Sequence, residues 1–160
     1  MSKLTHLDEA GHARMVDVSD KAETSRMARA TATVQLTQAA MDLPIEGNLK
    51  KGDAPGVARV AGVLGAKRTS ELIPLCHPLP ITRVTVHLGS DQASNQVLIA
   101  ATVKTKGQTG VEMEALTAAA TAALTLYDML KAVDKGIVIT AIQLDEKQGG
   151  KSGLWKREEV

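Results

Sequence analysis

The chain has 160 residues, 44% hydrophobic and 23% charged, a balance suited to one folded domain with its own core. Its 19 Lys+Arg and 18 Asp+Glu leave a formal net charge of +1, so no global charge argument favours nucleic acid or a membrane surface, though a local basic cluster could still hold an anion. One cysteine excludes an intramolecular disulfide and any multi-cysteine metal site. With no signal-like stretch and no bilayer-length apolar run, the expectation is a cytoplasmic protein.

Residues 1–22 are polar and irregular apart from the short "MVDVS", and the expectation is a mobile N-terminus. From about Ser25, "SRMARATATVQL" alternates. Ala28, Ala30, Ala32, Val34 and Leu36 share the smaller, more apolar side, and Met27, Arg29, Thr31, Thr33 and Gln35 the other, which predicts a half-buried strand. A short helix broken at Pro44 and Gly47 is expected next, then a polar turn through "LKKGD". Asp53 is a fitting N-cap for a helix over "DAPGVARVAGVLGAKRTSELI", with Pro55 in the first turn where its missing N–H costs nothing. Val57, Val60, Ala61 and Leu64 fall on one face of that helix.

"ITRVTVHLG" and "QVLIAATVKT" flank the turn residues "SDQASN" and predict a β-hairpin, with Val84, Val86 and Leu88 alternating with Arg83, Thr85 and His87 in the first strand and Val97, Ile99, Ala101 and Val103 forming one face of the second. "TGVEMEALTAAATAALTLYDMLKAVDKG" predicts a long helix that presents Leu116, Ala120, Ala123, Tyr127 and Leu130 and ends at Gly136. "IVITAIQLD" predicts a last strand, and residues 146–160 a Gly- and charge-rich mobile tail. The order strand, helix, strand, strand, helix, strand predicts an α+β, ferredoxin-like antiparallel sheet with helices packed on one face, as a single domain over residues 1–160. Aromatic residues are only 1% of the chain, with no Phe, so the core must be built from small and aliphatic side chains. Subunit interfaces are therefore expected to supply part of the burial.

Several segments carry polar chemistry. Thr109-x-x-Glu112 has the spacing of a capping box, which accounts for Glu112 but not for Glu114, about 200° further round the helix, although a second acid at a helix start is mildly favourable through the dipole. Asp128 and Lys131 stand one turn apart at the border of the apolar stripe, as a surface ion pair or as a pair placed for proton transfer. Lys50 and Lys51 precede a helix N-terminus, a place that favours anions, while Lys67 and Arg68 fit a helix C-terminus. "GGKSG" lacks both the upstream glycine and the following helix of a Walker loop, yet its glycines with Lys147 and Lys151 could close over phosphates.

The lone cysteine lies in "ELIPLCHPLP". Cys76 and His77 are adjacent, and in an extended segment they point to opposite sides, so they can neither ligate one metal nor serve each other as nucleophile and base. Pro74, Pro78 and Pro80 make the loop rigid, with Pro78 holding His77 extended. His77 is the side chain such a loop would aim, and Cys76 is expected to be buried and inert.

"KGD" at 51–53, "AKRTSELIPLCHPL" at 66–79, "GVEMEALTAA" at 110–119, "YDMLKA" at 127–132 and "GGKSG" at 149–153 occur in that order. With these motifs the chain, from about residue 5 to residue 155, resembles the cyclic pyranopterin monophosphate synthase family (MoaC type) of molybdenum-cofactor biosynthesis. The resemblance implies a homohexamer built as a trimer of dimers, with sites at the dimer interface. It also implies conversion of (8S)-3′,8-cyclo-7,8-dihydroguanosine 5′-triphosphate to cyclic pyranopterin monophosphate with release of pyrophosphate.

By the same resemblance Lys51, Asp128 and Lys131 are the catalytic residues. Leu75, Cys76, His77, Met113 and Glu114 bind substrate, Glu112 lines the pocket, and Arg26, Lys67, Lys147 and Lys151 lie on the phosphate side. The chain departs from the family pattern at the Pro55-Gly56 pair and at Gln108, where many relatives carry lysine. A lysine out of water or near other cations has a lowered pKa, which would suit Lys131 to proton transfer at the purine-derived ring. No metal site and no tightly bound cofactor are expected, beyond a magnesium ion carried on the substrate's phosphates. An RNA-binding module of this fold would need aromatic residues on the sheet, and none falls there. A small-molecule-binding regulatory domain of the same fold is the rival reading.

Overall fold

The computed structural model describes residues 4–43 and 53–159. Lys50 and Lys51 lie outside them. Strands β1 (Thr24–Gln35), β2 (Ile81–Asp91), β3 (Gln96–Gly107), β4 (Val138–Gln148) and β5 (Trp155–Lys156) form one antiparallel sheet in the order β2-β3-β1-β4-β5. Helices α1 (Gln38–Met41), α2 (Ala54–Lys67), α3 (Thr69–Leu72) and α4 (Glu112–Leu130) complete the fold. β1 pairs with β3 on one side and β4 on the other, so α2 and α4 are the crossovers of a split βαβ arrangement, as the order of elements predicts.

The alternation in β1 and β3 is borne out. Ala28, Ala30, Ala32 and Val34 face Ile99, Ala101 and Val103 in one buried layer. The helix faces differ from expectation. α2 buries Ala54, Ala58, Gly62, Gly65 and Ala66, whereas Val57, Val60 and Leu64 stand 42%, 60% and 49% exposed.

The reason is the closeness of α2 to α4. A side chain at Gly62 would stand 3.1 Å from the Ala118 carbonyl oxygen, and one at Gly65 2.5 Å from Thr121 Oγ1, so only the small-residue stripe fits inside. α4 likewise buries Ala115, Ala118, Ala119, Ala122 and Leu126 together with the expected Ala123 and Leu130; Leu116, Ala120 and Tyr127 are half-buried. Interdigitating alanines let two helices approach, and they push the larger aliphatics outward.

Four boundaries also shift. The helix predicted from Asp53 breaks at Arg68 before the single turn of α3, while its expected Asp53 cap is present, accepting from the Gly56 N–H at 3.0 Å. α4 ends at Leu130, six residues before Gly136, with Lys131 as its C-cap. The capping box is absent: Val111 occupies the N-cap position without a side-chain cap bond. β4 runs on through Gln148, and the tail returns as β5 beside Glu146 and Lys147.

Candidate functional site

The loop at residues 73–80 is tied to the sheet where Thr105 Oγ1 donates to the Pro80 carbonyl at 2.7 Å, and it turns where the Cys76 N–H meets the Ile73 carbonyl at 3.1 Å. Held this way, it forms one side of a cleft of about 800 Å³. Leu75, Cys76 and His77 line it, facing Glu112 and Met113 at the first turn of α4. Pro74, Leu79 and Ile73 make most of the wall apolar, which suits a flat, uncharged ring more than a phosphate.

Cys76 and His77 take separate partners. The Cys76 thiol lies 3.8 Å from Glu114 Oε1, while His77 Nε2 lies 2.7 Å from the Val16 carbonyl oxygen. Burial and the nearby Glu114 carboxyl push the Cys76 thiol up to about 11, so it is a neutral donor and not a nucleophile at neutral pH. Glu114 is only 3% exposed, and burial raises its carboxyl above the ordinary range. Its second oxygen, Oε2, has no hydrogen-bond partner among the described residues.

Glu112, freed from the expected capping role, accepts a 2.8 Å ion pair from Lys147 of β4. Its carboxylate lies against Gly110, where any side chain would collide with it. Arg26 spans the same corner, donating from Nε to the Gly107 carbonyl at 3.0 Å and from Nη2 to the Gln108 carbonyl at 3.2 Å. The glycine loop closes this corner from above. Gly149 and Gly150 adopt φ of 95° and 74°, and a side chain at either would strike Ser25 or the Arg26 guanidinium. Lys151 follows in the exposed turn.

Eight predicted residues thus meet around one cleft and its rim: Arg26, Leu75, Cys76, His77, Glu112, Met113, Glu114 and Lys147. Lys67 ends α2 in a neighbouring hollow with Arg83, on the far side of Leu79. Asp128 and Lys131 are elsewhere. They form a 2.6 Å ion pair near the opposite end of α4, and at 1.5 Å rise per residue their distance from Glu112 along the axis is roughly 24 Å. Lys131 also departs from expectation: its hydrogen bond to Asp128 raises its pKa, so the ammonium is held charged. Lys51 lies outside the described residues.

The structure adds His6, Ala13, Thr109 and Gly110 to the cleft lining. His6 and Ala13 come from the polar N-terminal segment, whose one local signal was "MVDVS". Among the described residues no group of three or more His, Cys, Asp or Glu side chains is placed to hold a metal, and no helix is long and apolar enough to cross a membrane.

An antiparallel sheet with helices on one face, an apolar-walled cleft and a charged rim offers a site for a small molecule. Residues 15–150 match the model of the MoaC family, and the chain belongs to that family. It is 60% identical over 156 residues, covering 98% of each chain, to cyclic pyranopterin monophosphate synthase from Cereibacter sphaeroides (strain KD131 / KCTC 12085). It is 58% identical over 159 residues to the protein of that name from Thermomicrobium roseum, covering 99% of this chain and 96% of the relative.

Proposed function

We propose that the chain converts (8S)-3′,8-cyclo-7,8-dihydroguanosine 5′-triphosphate to cyclic pyranopterin monophosphate and releases pyrophosphate, an early step of molybdenum-cofactor biosynthesis. The chain is a lyase of the MoaC family, and near-full-length relatives bear the synthase name. The observation that carries the reading is the convergence of Leu75, Cys76, His77, Glu112 and Met113 on one cleft. A regulatory domain would have no need of this constellation together with a distant Asp–Lys pair.

The cleft takes the purine-derived ring between its apolar walls. His77, Glu112 and Glu114 hold the polar edges of base and sugar. Arg26, Lys147, Lys151 and Lys67 meet the triphosphate side with Lys51, offsetting charge as a sugar hydroxyl attacks the α-phosphorus in line and pyrophosphate departs. The hydroxyl proton passes to water as the new P–O bond forms and the bond from the α-phosphorus to the pyrophosphate oxygen breaks. Lys131, kept charged by Asp128, serves first as a proton donor to the opening ring and becomes a base once that proton has gone. No tightly bound cofactor is assigned; magnesium would arrive on the substrate's phosphates.

The roughly 24 Å that separates Glu112 from Asp128 along α4 exceeds what one small substrate bridges, which supports a site completed by a second copy. An isologous dimer would set the Asp128–Lys131 end of one protomer beside the cleft of its partner. The outward Val57, Val60 and Leu64 of α2 and Leu124 of α4, the last 61% exposed, supply apolar surface for assembly. A homohexamer, as a trimer of dimers acting in the cytoplasm as one domain per chain, is our reading of the working form. Incubation with the cyclic nucleotide, with assay of pyrophosphate and pterin fluorescence, tests the activity: both products are expected in equal amounts, and absence of both from a folded preparation overturns it.

A further inference from the structure

The N-terminal segment is built into the cleft. Leu7 and Ala13 pair as a short bridge, the Arg14 N–H donates to the His6 carbonyl at 2.8 Å, and Asp8 Oδ1 accepts from the Ala10 and His12 N–H groups at 2.9 and 2.8 Å. Gly11 turns this hairpin with a φ of 85°. His6 and Ala13 then face the cleft, and the chain continues across the loop at 73–80.

Two backbone carbonyls fasten it there. Val16 O meets His77 Nε2 at 2.7 Å, and Ser19 O accepts from Gln108 Nε2 at 3.4 Å. Between them Asp17 Oδ1 closes a tight turn, accepting from the Ser19 N–H at 2.9 Å and its hydroxyl at 2.6 Å. A carbonyl oxygen only accepts, so the Val16 contact requires a proton on His77 Nε2. In the neutral ring that leaves Nδ1 as a bare lone pair.

We propose that residues 4–20 form a wall of the substrate cleft, and that the Val16 carbonyl is a positioning group that fixes His77 as a hydrogen-bond acceptor toward the substrate. The inference rests on the cleft being the substrate site. It assigns the direction of the His77 contact: Nδ1 takes an N–H or O–H of the purine-derived ring. A guanine-type ring offers such donors at its lactam nitrogen and amino group. A site built around an oriented acceptor penalises analogues lacking the donor, because the acceptor is then left unpaired.

The test uses histidine-selective ¹⁵N labelling and magic-angle-spinning NMR of the assembled protein, with the His77 signals assigned by their loss in His77→Gln. The full chain is expected to show His77 as the Nε2–H tautomer. Deletion of residues 2–18 removes the carbonyl. Asp17→Ala/Ser19→Ala loosens the turn that aims it and decides the matter should the deletion fail to fold. Each variant is expected to give a mixture of tautomers and a KM raised roughly tenfold, the scale of one lost hydrogen bond, with kcat changed much less. A wild-type Nδ1–H tautomer, or an unchanged tautomer and KM in the folded variants, overturns the inference. Full-chain turnover with those negative results leaves the proposed function standing, whereas absence of turnover in the full chain defeats that function directly.

Discussion

The two ends of α4 carry the same kinds of side chain in opposite settings. At the N-terminal end Glu114 is buried, its carboxyl raised by lost hydration, and Glu112 is tied to β4 through Lys147. At the C-terminal end Asp128 and Lys131 are about half exposed, and their mutual bond holds the lysine charged. The first setting orients groups against a preformed wall. The second leaves a charged pair on the surface, where water screens the attraction between the partners. A surface pair of this kind adds little stability, which fits the proposed role of completing a site on another copy.

Four variants sharpen this contrast. Val60→Glu/Leu64→Glu places charge on the outward face of α2 and is expected to break the assembly into smaller species by light scattering, with activity lost alongside; an intact oligomer would mean this face is not an interface. Lys131→Ala should lower kcat by roughly 10²–10⁴-fold, the range of a lost general acid, while far-UV circular dichroism and Tm stay near wild type. Near-normal turnover would remove Lys131 from the chemistry.

Glu114→Gln addresses the buried end. Because the folded-state pKa of Glu114 is raised, the native protein binds the proton more tightly than the unfolded chain. Its contribution to stability is therefore fully present below the unfolded value of about 4.5 and is lost as pH rises through the higher folded value. Glu114→Gln should flatten that decline in urea melts between acid and neutral pH, and an unchanged slope would place the titration elsewhere. Glu112→Gln, which weakens the bond to the part-exposed Lys147, should cost no more than about 1 kcal/mol of stability and raise KM more than it lowers kcat. A larger loss in kcat would put Glu112 in the chemical step.

The sheet was legible because period-2 alternation depends on little besides which face is buried: Ala28 through Val34 and Val97 through Val103 fall as read. The helix faces were misread for a physical reason. Hydrophobicity marks Val57, Val60 and Leu64 as core, but the closeness of α2 to α4 admits only glycine and alanine between them, and that distance is a tertiary fact.

The site shows the same division. The prolines announced a rigid loop and the resemblance named its residues, yet Thr109-x-x-Glu112 looked like a cap because nothing local reveals that Lys147, 35 residues away, claims the carboxylate. The lowered lysine pKa expected at Lys131 likewise assumed a dry or cationic setting, whereas the chain places Asp128 beside it in the open. His6 and Val16 carried no side-chain signal at all, since one acts from a distant turn and the other through its backbone.

Intersubunit complementation tests the two-ended site most directly. His77→Ala, expected to lose roughly 10²-fold through misplaced substrate, alters the cleft beside the N-terminal end of α4, Lys131→Ala alters the C-terminal end, and each is nearly inactive alone. Unfolded together in equal amounts and refolded, half the dimers become mixed, and one of the two composite sites in each has both residues intact. The account predicts recovery of about a quarter of wild-type turnover. Activity no higher than that of the two parents, with mixed oligomers demonstrated by mass spectrometry, would show that each chain builds its site alone.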